Sequence, residues 1–199
     1  MLIKQSFFSR SAIEVAPELI GCTLKRVLPS GEILSGTIVE TEAYLQNDPA
    51  CHAYRGITKR NAVMFGPAGF SYVYFIYGVH FCFNVVTGDE GVGEAVLIRA
   101  LDVGEDGGER EGESGNGDFR IAAGPGKLCK FMRIDKSLNG VSLFANSECE
   151  LTITKCLSKR EIKKIPLTQC RRIGIREGKE FLWRWYWTGN RAVSVRNKS

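Results

Sequence analysis

At 199 residues the chain is long enough to bury roughly 70% of the surface its unfolded form exposes, so a core needs neither a disulfide framework nor a structural metal. With 44% hydrophobic, 25% charged and 10% aromatic residues, collagen-like, coiled-coil and wholly disordered chains are excluded. The net charge of +5 hides an asymmetry: eight basic and ten acidic residues in 1–103, one basic and six acidic in 104–118, eighteen basic and six acidic in 119–199.

A strongly basic C-terminal two-fifths suggests a polyanionic partner, nucleic acid first, with a merely soluble basic surface as the alternative. The stretch GEDGGEREGESGNGD at 104–118 cannot bury enough apolar surface to order itself and is expected to form a mobile surface loop. The opening MLIKQSFFSR carries no signal-peptide core. The uncharged run Phe70–Val86 is short for a bilayer and is interrupted by Ser71, Gly78, His80 and Asn84, so paired strands are expected rather than a membrane span. Seven cysteines without a CxxC, and two histidines without zinc spacing, predict reduced, mostly buried thiols and no metal.

In chain order, Ser11-x-x-Glu14 has the capping-box spacing and predicts a short helix ending near Gly21, with Pro17 awkward inside it or marking the start of a second turn. Thr23–Leu28 and Ile33–Leu45 predict a hairpin around Pro29-Ser30-Gly31. Asn47–Pro67 reads as loop with a short helix at Lys59–Met64. Strands are expected at Tyr72–Tyr77, His80–Val86 and Glu94–Leu101. Gly124-Pro125-Gly126 leads into a short helix, Lys127–Arg133. The rest, to Val195, reads as mainly β with a charged stretch around Ser158–Lys164. The expected fold is one α+β domain spanning 1–199, with a mixed or antiparallel sheet and short helices around it.

If Ile38–Tyr44 is a strand, its two-residue period puts Glu40, Glu42 and Tyr44 on one face. Two carboxylates and a phenol there mark either a solvated face or a cleft. In FSYVYFIYGVHFCFN, residues 70–84, Tyr72 and Tyr74 share a face, while Tyr77 sits where the chain turns at Gly78. A tyrosine at a hairpin tip is idle surface, core, or a probe of the kind that duplex-deforming proteins insert between bases. His52 could be a ligand, a general base or a satisfied polar residue. Gly124-Pro125-Gly126-Lys127 fails as a P-loop, because Ile121 and Leu128 stand where Gly and Ser/Thr are required. It fails as a helix-hairpin-helix because Asp118–Ala123 is too short for the first helix. A phosphate contact from N–H groups at a helix start beside a lysine, or an ordinary turn, remains.

Together these pieces resemble the alkyladenine (3-methyladenine) DNA glycosylases of the mammalian type. The resemblance runs from about Phe7 to Val195 and rests on IVETEAYL (38–45), His52, RNAVMF (60–65), YVYFIYGVHFCFN (72–84), VLIRAL (96–101), GPGKLC (124–129) and RIGIREG (172–178). It implies a compact α+β domain with a curved antiparallel sheet and a protruding hairpin. It also implies Glu42 as general base, Arg99 as partner of the nucleophilic water, and Tyr44, His52 and Tyr74 as walls of a base pocket. Tyr77 would be the intercalating wedge and Asn84 the residue screening the purine edge. Gly124, Gly126 and Lys127 are carried as a backbone-phosphate contact. The implied partner is double-stranded DNA containing damaged purines; no cofactor, no metal, no membrane and a monomeric state are expected, in the compartment that holds the genome.

The chemistry is consistent with that reading. Alkylation at a purine ring nitrogen makes the base cationic and a ready leaving group, so one carboxylate that accepts a proton from water is sufficient. An electron-rich aromatic pocket favours cationic bases by about 1–2 kcal/mol when desolvated. No nucleophilic lysine is evident, so strand cleavage through a Schiff base is not expected. The rival reading is a non-catalytic nucleic-acid-binding module, since related sheet folds occur as RNA-binding appendages in formyltransferases. Such a module needs neither the Glu42/Arg99 pair nor a hairpin-tip aromatic.

Overall fold

The computed structural model describes residues 3–76, 78–104, 118–144, 150–155, 161 and 164–196. Tyr77, most of the acidic stretch 104–118 and most of the charged stretch 158–164 therefore lie outside the described residues.

After a single helical turn, α1 (Gln5–Phe8), α2 runs Ala12–Leu19 with its capping box closed: the Ser11 side chain accepts from the N3 backbone while Glu14 Oε2 accepts from Ser11 N–H at 3.3 Å. The helix continues through Pro17. Proline removes one backbone donor there, and the burial of Val15, Ala16 and Leu19 against the sheet offsets that loss.

The hairpin β1 (Cys22–Val27) and β2 (Ile33–Tyr44) forms in the expected place, followed by β3 (Ser71–Ile76), β4 (His80–Val86) and β5 (Ala95–Asp102). Further on come α3 (Pro125–Phe131), β6 (Leu151–Lys155), β7 (Leu167–Cys170) and β8 (Arg184–Trp187). The expected helix at Lys59–Met64 is instead a 3₁₀ turn over Ala62–Phe65. α3 starts two residues earlier than expected, because Pro125 has the fixed φ that suits a first helical position.

The strands form one curled, antiparallel sheet in the order β3-β4-β5-β2-β1-β6, with β8 paired to both β2 and β7. β2 is its spine. Its first half pairs with β1, its second half pairs with β8, and β5 lies along its other edge. Register shifts on either side of Glu40 bend it, the usual consequence of a bulge. α2 and α3 pack one side of the sheet through Ala16, Leu19 and Leu128, with Met132 just after α3, all fully buried. The hairpin β3–β4 forms the far edge, with Phe75 and Val79 exposed. No described helix is long and apolar enough to cross a membrane. Cys51, Cys82, Cys129 and Cys170 are free, buried thiols, and Cys22 is buried as well.

Candidate active site

The solvated-face alternative for β2 is wrong. Residues Ile38–Ala43 are all buried, and Glu40 and Glu42 have no exposed surface. α2 covers one side, where Thr41 Oγ1 donates to the Ala16 carbonyl at 2.9 Å. On the other side the two carboxylates face arginines. Arg99, from the middle of β5, donates from Nε to Glu40 Oε1 at 2.9 Å and from an Nη to Glu42 Oε2 at 3.3 Å. Burial works against the guanidinium charge, but Glu42 and Glu40 outweigh it and hold the Arg99 pKa above its ordinary value.

Glu42 has two further donors. The Tyr44 hydroxyl reaches Oε2 at 2.8 Å, and the Ile173 N–H reaches Oε1 at 2.8 Å. Burial first, then the adjacent Glu42 charge, push the Tyr44 phenol well above its ordinary pKa, so it stays a donor at neutral pH. A carboxylate offers about four acceptor positions; three are occupied here, and one is left.

Above this pair lies a cleft of about 910 Å³ whose walls include Tyr44, His52, Tyr72, Tyr74, Asn84 and Arg99. Its aromatic side is preassembled. His52 and Tyr74 meet edge-on with centroids 4.5 Å apart, Tyr72 and Tyr74 are 5.3 Å apart, and His52 Nδ1 hydrogen-bonds the Tyr72 hydroxyl at 2.9 Å. Partial desolvation in the cleft, then the nearby Arg60 charge, lower the His52 pKa, which favours the neutral imidazole. Desolvation also raises the phenols, Tyr72 to about 12 and Tyr74 further. The aromatic side chains of the wall are thus uncharged at neutral pH, while Arg99 brings a charge to the cleft. Asn84 is buried on β4, and its Nδ2 donates to the Tyr72 carbonyl at 3.0 Å.

Gly124, Gly126 and Lys127 form the opposite rim, with the Lys127 side chain exposed. The Gly124 N–H donates to the Arg99 carbonyl at 3.0 Å and Pro125 has no N–H, so at this helix start the backbone donors left for a phosphate are those of Gly126 and Lys127. Gly126 serves a close approach: a Cβ there would lie 2.9 Å from His80 Cγ. Tyr77 lies outside the described residues; its neighbour Gly78 turns with φ 67° at the end of the hairpin.

The residues missed from sequence are those that bring segment 171–178 across the cleft. Arg172 and Asp48 form a fully buried ion pair, Arg172 also donates to the Ala43 carbonyl at 3.0 Å, and its guanidinium lies 4.6 Å from the Tyr44 ring centroid. The pair positions Ile173 for its bond to Glu42. RIGIREG was the one signal for it, without a role attached. Gly178 closes the segment at φ 65°, and a Cβ there would sit 2.8 Å from both an Arg172 Nη and Asp48 Oδ1. Gly178→Ala is expected to cost roughly 1–3 kcal/mol through left-handed strain plus overpacking, read as a shift in the urea midpoint. An unchanged midpoint would mean that the segment is not held by this pair.

Among the described residues no three His, Cys, Asp or Glu side chains are arranged to hold a metal ion.

Comparison with known proteins agrees with the geometry. The family profile described as methylpurine-DNA glycosylase matches residues 6–191. A protein of Trichodesmium erythraeum is 46% identical over 203 residues, covering 97% of each chain. One from Carboxydothermus hydrogenoformans is 46% identical over 98% of this chain and 99% of its own, and one from Methanoculleus marisnigri is 45% identical over 98% and 100%. Each of the three is named as a candidate 3-methyladenine DNA glycosylase. The chain belongs to the methylpurine-DNA glycosylase family and is a DNA glycosylase.

Proposed function

We propose that this enzyme takes an alkylated or deaminated purine out of duplex DNA into the aromatic cleft and hydrolyses its N-glycosidic bond, leaving an abasic site. The observation that carries the reading is the Glu42–Arg99 pair behind an aromatic-walled cleft. Glu42 takes the proton of a water held beside Arg99, and the water oxygen bonds to the sugar carbon as the base departs with the bond's electron pair. The three donors around Glu42 orient the carboxylate and leave one acceptor position for that water.

Selectivity follows from the walls. Tyr44, His52, Tyr72 and Tyr74 offer uncharged aromatic rings, with Arg172 already over Tyr44 and Arg60 over Tyr74, and the π surface that remains favours a cationic methylated purine over a neutral one. Extrusion is cheapest where pairing is already damaged. Tyr77 at the hairpin turn would fill the vacated stack. Lys127 at the rim would meet a backbone phosphate, and its exposed side chain favours that role over the neighbouring backbone donors. The substrate is double-stranded DNA carrying damaged bases, and we expect a monomeric enzyme at work wherever the genome is.

Asn84 would close on the purine edge. Guanine differs from hypoxanthine by one exocyclic amino group, and a single added group in a pocket is worth about 1–3 kcal/mol. Asn84→Ser should therefore raise release of guanine opposite thymine, relative to hypoxanthine opposite thymine, by roughly 10-fold in single-turnover assays. An unchanged ratio would leave Asn84 as the clamp on Tyr72 alone.

The reading is tested by incubating duplexes carrying 3-methyladenine, 7-methylguanine, hypoxanthine or ethenoadenine with the enzyme and separating free bases by chromatography. Release of at least one of these bases, with normal purines retained, is expected. Tight binding to every duplex with no release would favour the non-catalytic module.

A further inference from the structure

We propose a second anion-binding site on this chain: a concavity of about 430 Å³ formed by Phe119, Arg120, Arg191 and Arg196, which holds a backbone phosphate of the DNA outside the base cleft. The proposal rests on the chain being a DNA glycosylase, and on nothing assumed about which base it removes.

Three observations carry it. The three guanidinium groups have no carboxylate within ion-pair distance among the described residues, whereas Arg99, Arg172 and Arg184 are each matched with one. The nearest acid in sequence, Asp118, accepts from the Arg120 backbone N–H at 2.9 Å instead. Exposed like charges converging on one hollow repel each other, so their arrangement is favoured by an anion.

The guanidiniums are also held in place by neutral groups. Arg191 stacks on the Phe119 ring at 4.1 Å, Arg120 donates to the Ser194 carbonyl at 2.9 Å, and Arg196 donates to the Asn190 carbonyl at 3.1 Å. These contacts fix the planes and leave most N–H donors unspent, and a planar guanidinium suits phosphate geometry.

Finally, the hollow adjoins the active site. Arg120 and Ala123 belong to one turn, closed by an Ala123 N–H bond to the Arg120 carbonyl at 3.1 Å, and Ala123 with Gly124 lines the base cleft. Ser194, which lines the hollow, donates from its N–H and hydroxyl to Glu40, the carboxylate that binds Arg99. A strand with one base in the cleft carries phosphates on both sides of that nucleotide. One of them is offered Lys127, and the next stretch of backbone is offered this hollow. Its arginines are exposed and no fully buried polar group lines it to select a small ligand, which favours a polymer backbone over a free anion.

The test uses the whole chain with Arg120, Arg191 and Arg196 all changed to Gln, and a second variant with all three changed to Lys. Affinity for an undamaged duplex is measured by fluorescence anisotropy over a range of salt. The Gln variant should bind more weakly, with the log–log salt slope shallower by about 0.9 for the lost phosphate contact. The Lys variant keeps the charge and should hold the slope near wild type. Inorganic phosphate is titrated calorimetrically in parallel.

Equal slopes in wild type and Gln variant overturn the proposal. So does loss of inorganic-phosphate binding with the DNA slope intact, which would mark a small-anion site. A Lys variant as shallow as the Gln variant overturns it too, since packing rather than charge would then matter. Base release by the wild type, scored in the same preparations, reports separately on the catalytic reading.

Discussion

Glu42→Gln is expected to leave binding of an alkylated duplex in place and to slow single-turnover base release by about 10²–10⁴-fold, the usual contribution of a positioned general base. The substitution removes the proton acceptor and one of the two charges that face Arg99, so the urea midpoint is measured alongside the rate. The amide oxygen can keep the Ile173 N–H, the Tyr44 hydroxyl can turn from donor to acceptor toward the new NH₂, and Arg99 retains Glu40. The aromatic walls do not depend on Glu42, because His52, Tyr72 and Tyr74 hold one another. Loss of rate with retained affinity therefore separates chemistry from folding. Near-normal release by the variant would move the base to another group.

Glu40→Gln should behave in the opposite way, with stability as the main casualty. Glu40 Oε1 accepts from Arg99 Nε at 2.9 Å, from Arg184 Nε at 2.8 Å and from the Ser194 hydroxyl at 2.9 Å, while Oε2 accepts from the Ser194 N–H at 2.7 Å. Every one of these partners is a donor. An amide must point its own NH₂ at one of them, and it leaves the buried Arg184 without its carboxylate partner and Arg99 with Glu42 alone. Removing one partner from a buried ionic cluster costs about 3–5 kcal/mol, so the urea midpoint should fall sharply. The neutral variant that keeps the midpoint within error would show that the cluster is not held by the Glu40 charge. Because Arg99 is one of the two arginines, base release should decline as well, through loosened positioning of a group that Glu40 itself does not bring to the substrate.

These two glutamates show where sequence reasoning reaches its limit. The two-residue period of β2 correctly put Glu40 and Glu42 on one face, since both meet Arg99. It could not say that the face is closed, because what closes it comes from far away in the chain. Ile173 lies 131 residues from Glu42, and Arg184 and Ser194 lie 144 and 154 residues from Glu40. Alternation of polar and apolar residues reports half-burial of a strand. A strand covered on both sides by helix and by ion pairs has no such pattern.

The hairpins, α2 with its cap and the paired reading of Phe70–Val86 were legible because each rests on local signals: turn glycines, β-branched and aromatic runs, and a capping box. The charge count was legible only in total. Arg172 and Arg184 belong to the basic C-terminal region yet are buried in ion pairs, so the surface available to DNA is less basic than the sequence suggests. Three of the arginines that remain exposed, Arg120, Arg191 and Arg196, are gathered by the turn at 120–124 and the C-terminal segment, a juxtaposition that no local pattern contains.

The reaction we propose is displacement of the base by water activated by Glu42, with no amine of the protein taking part. It is tested most directly by reacting wild-type enzyme with a duplex carrying an excised lesion in the presence of sodium borohydride, and resolving the products with and without alkali. Hydrolysis predicts free base in proportion to enzyme turnover, strands that break only after alkali, and no protein–DNA adduct. A borohydride-stabilised adduct, or strand breaks formed without alkali, would contradict it, because either requires a covalent imine between a protein amine and the sugar.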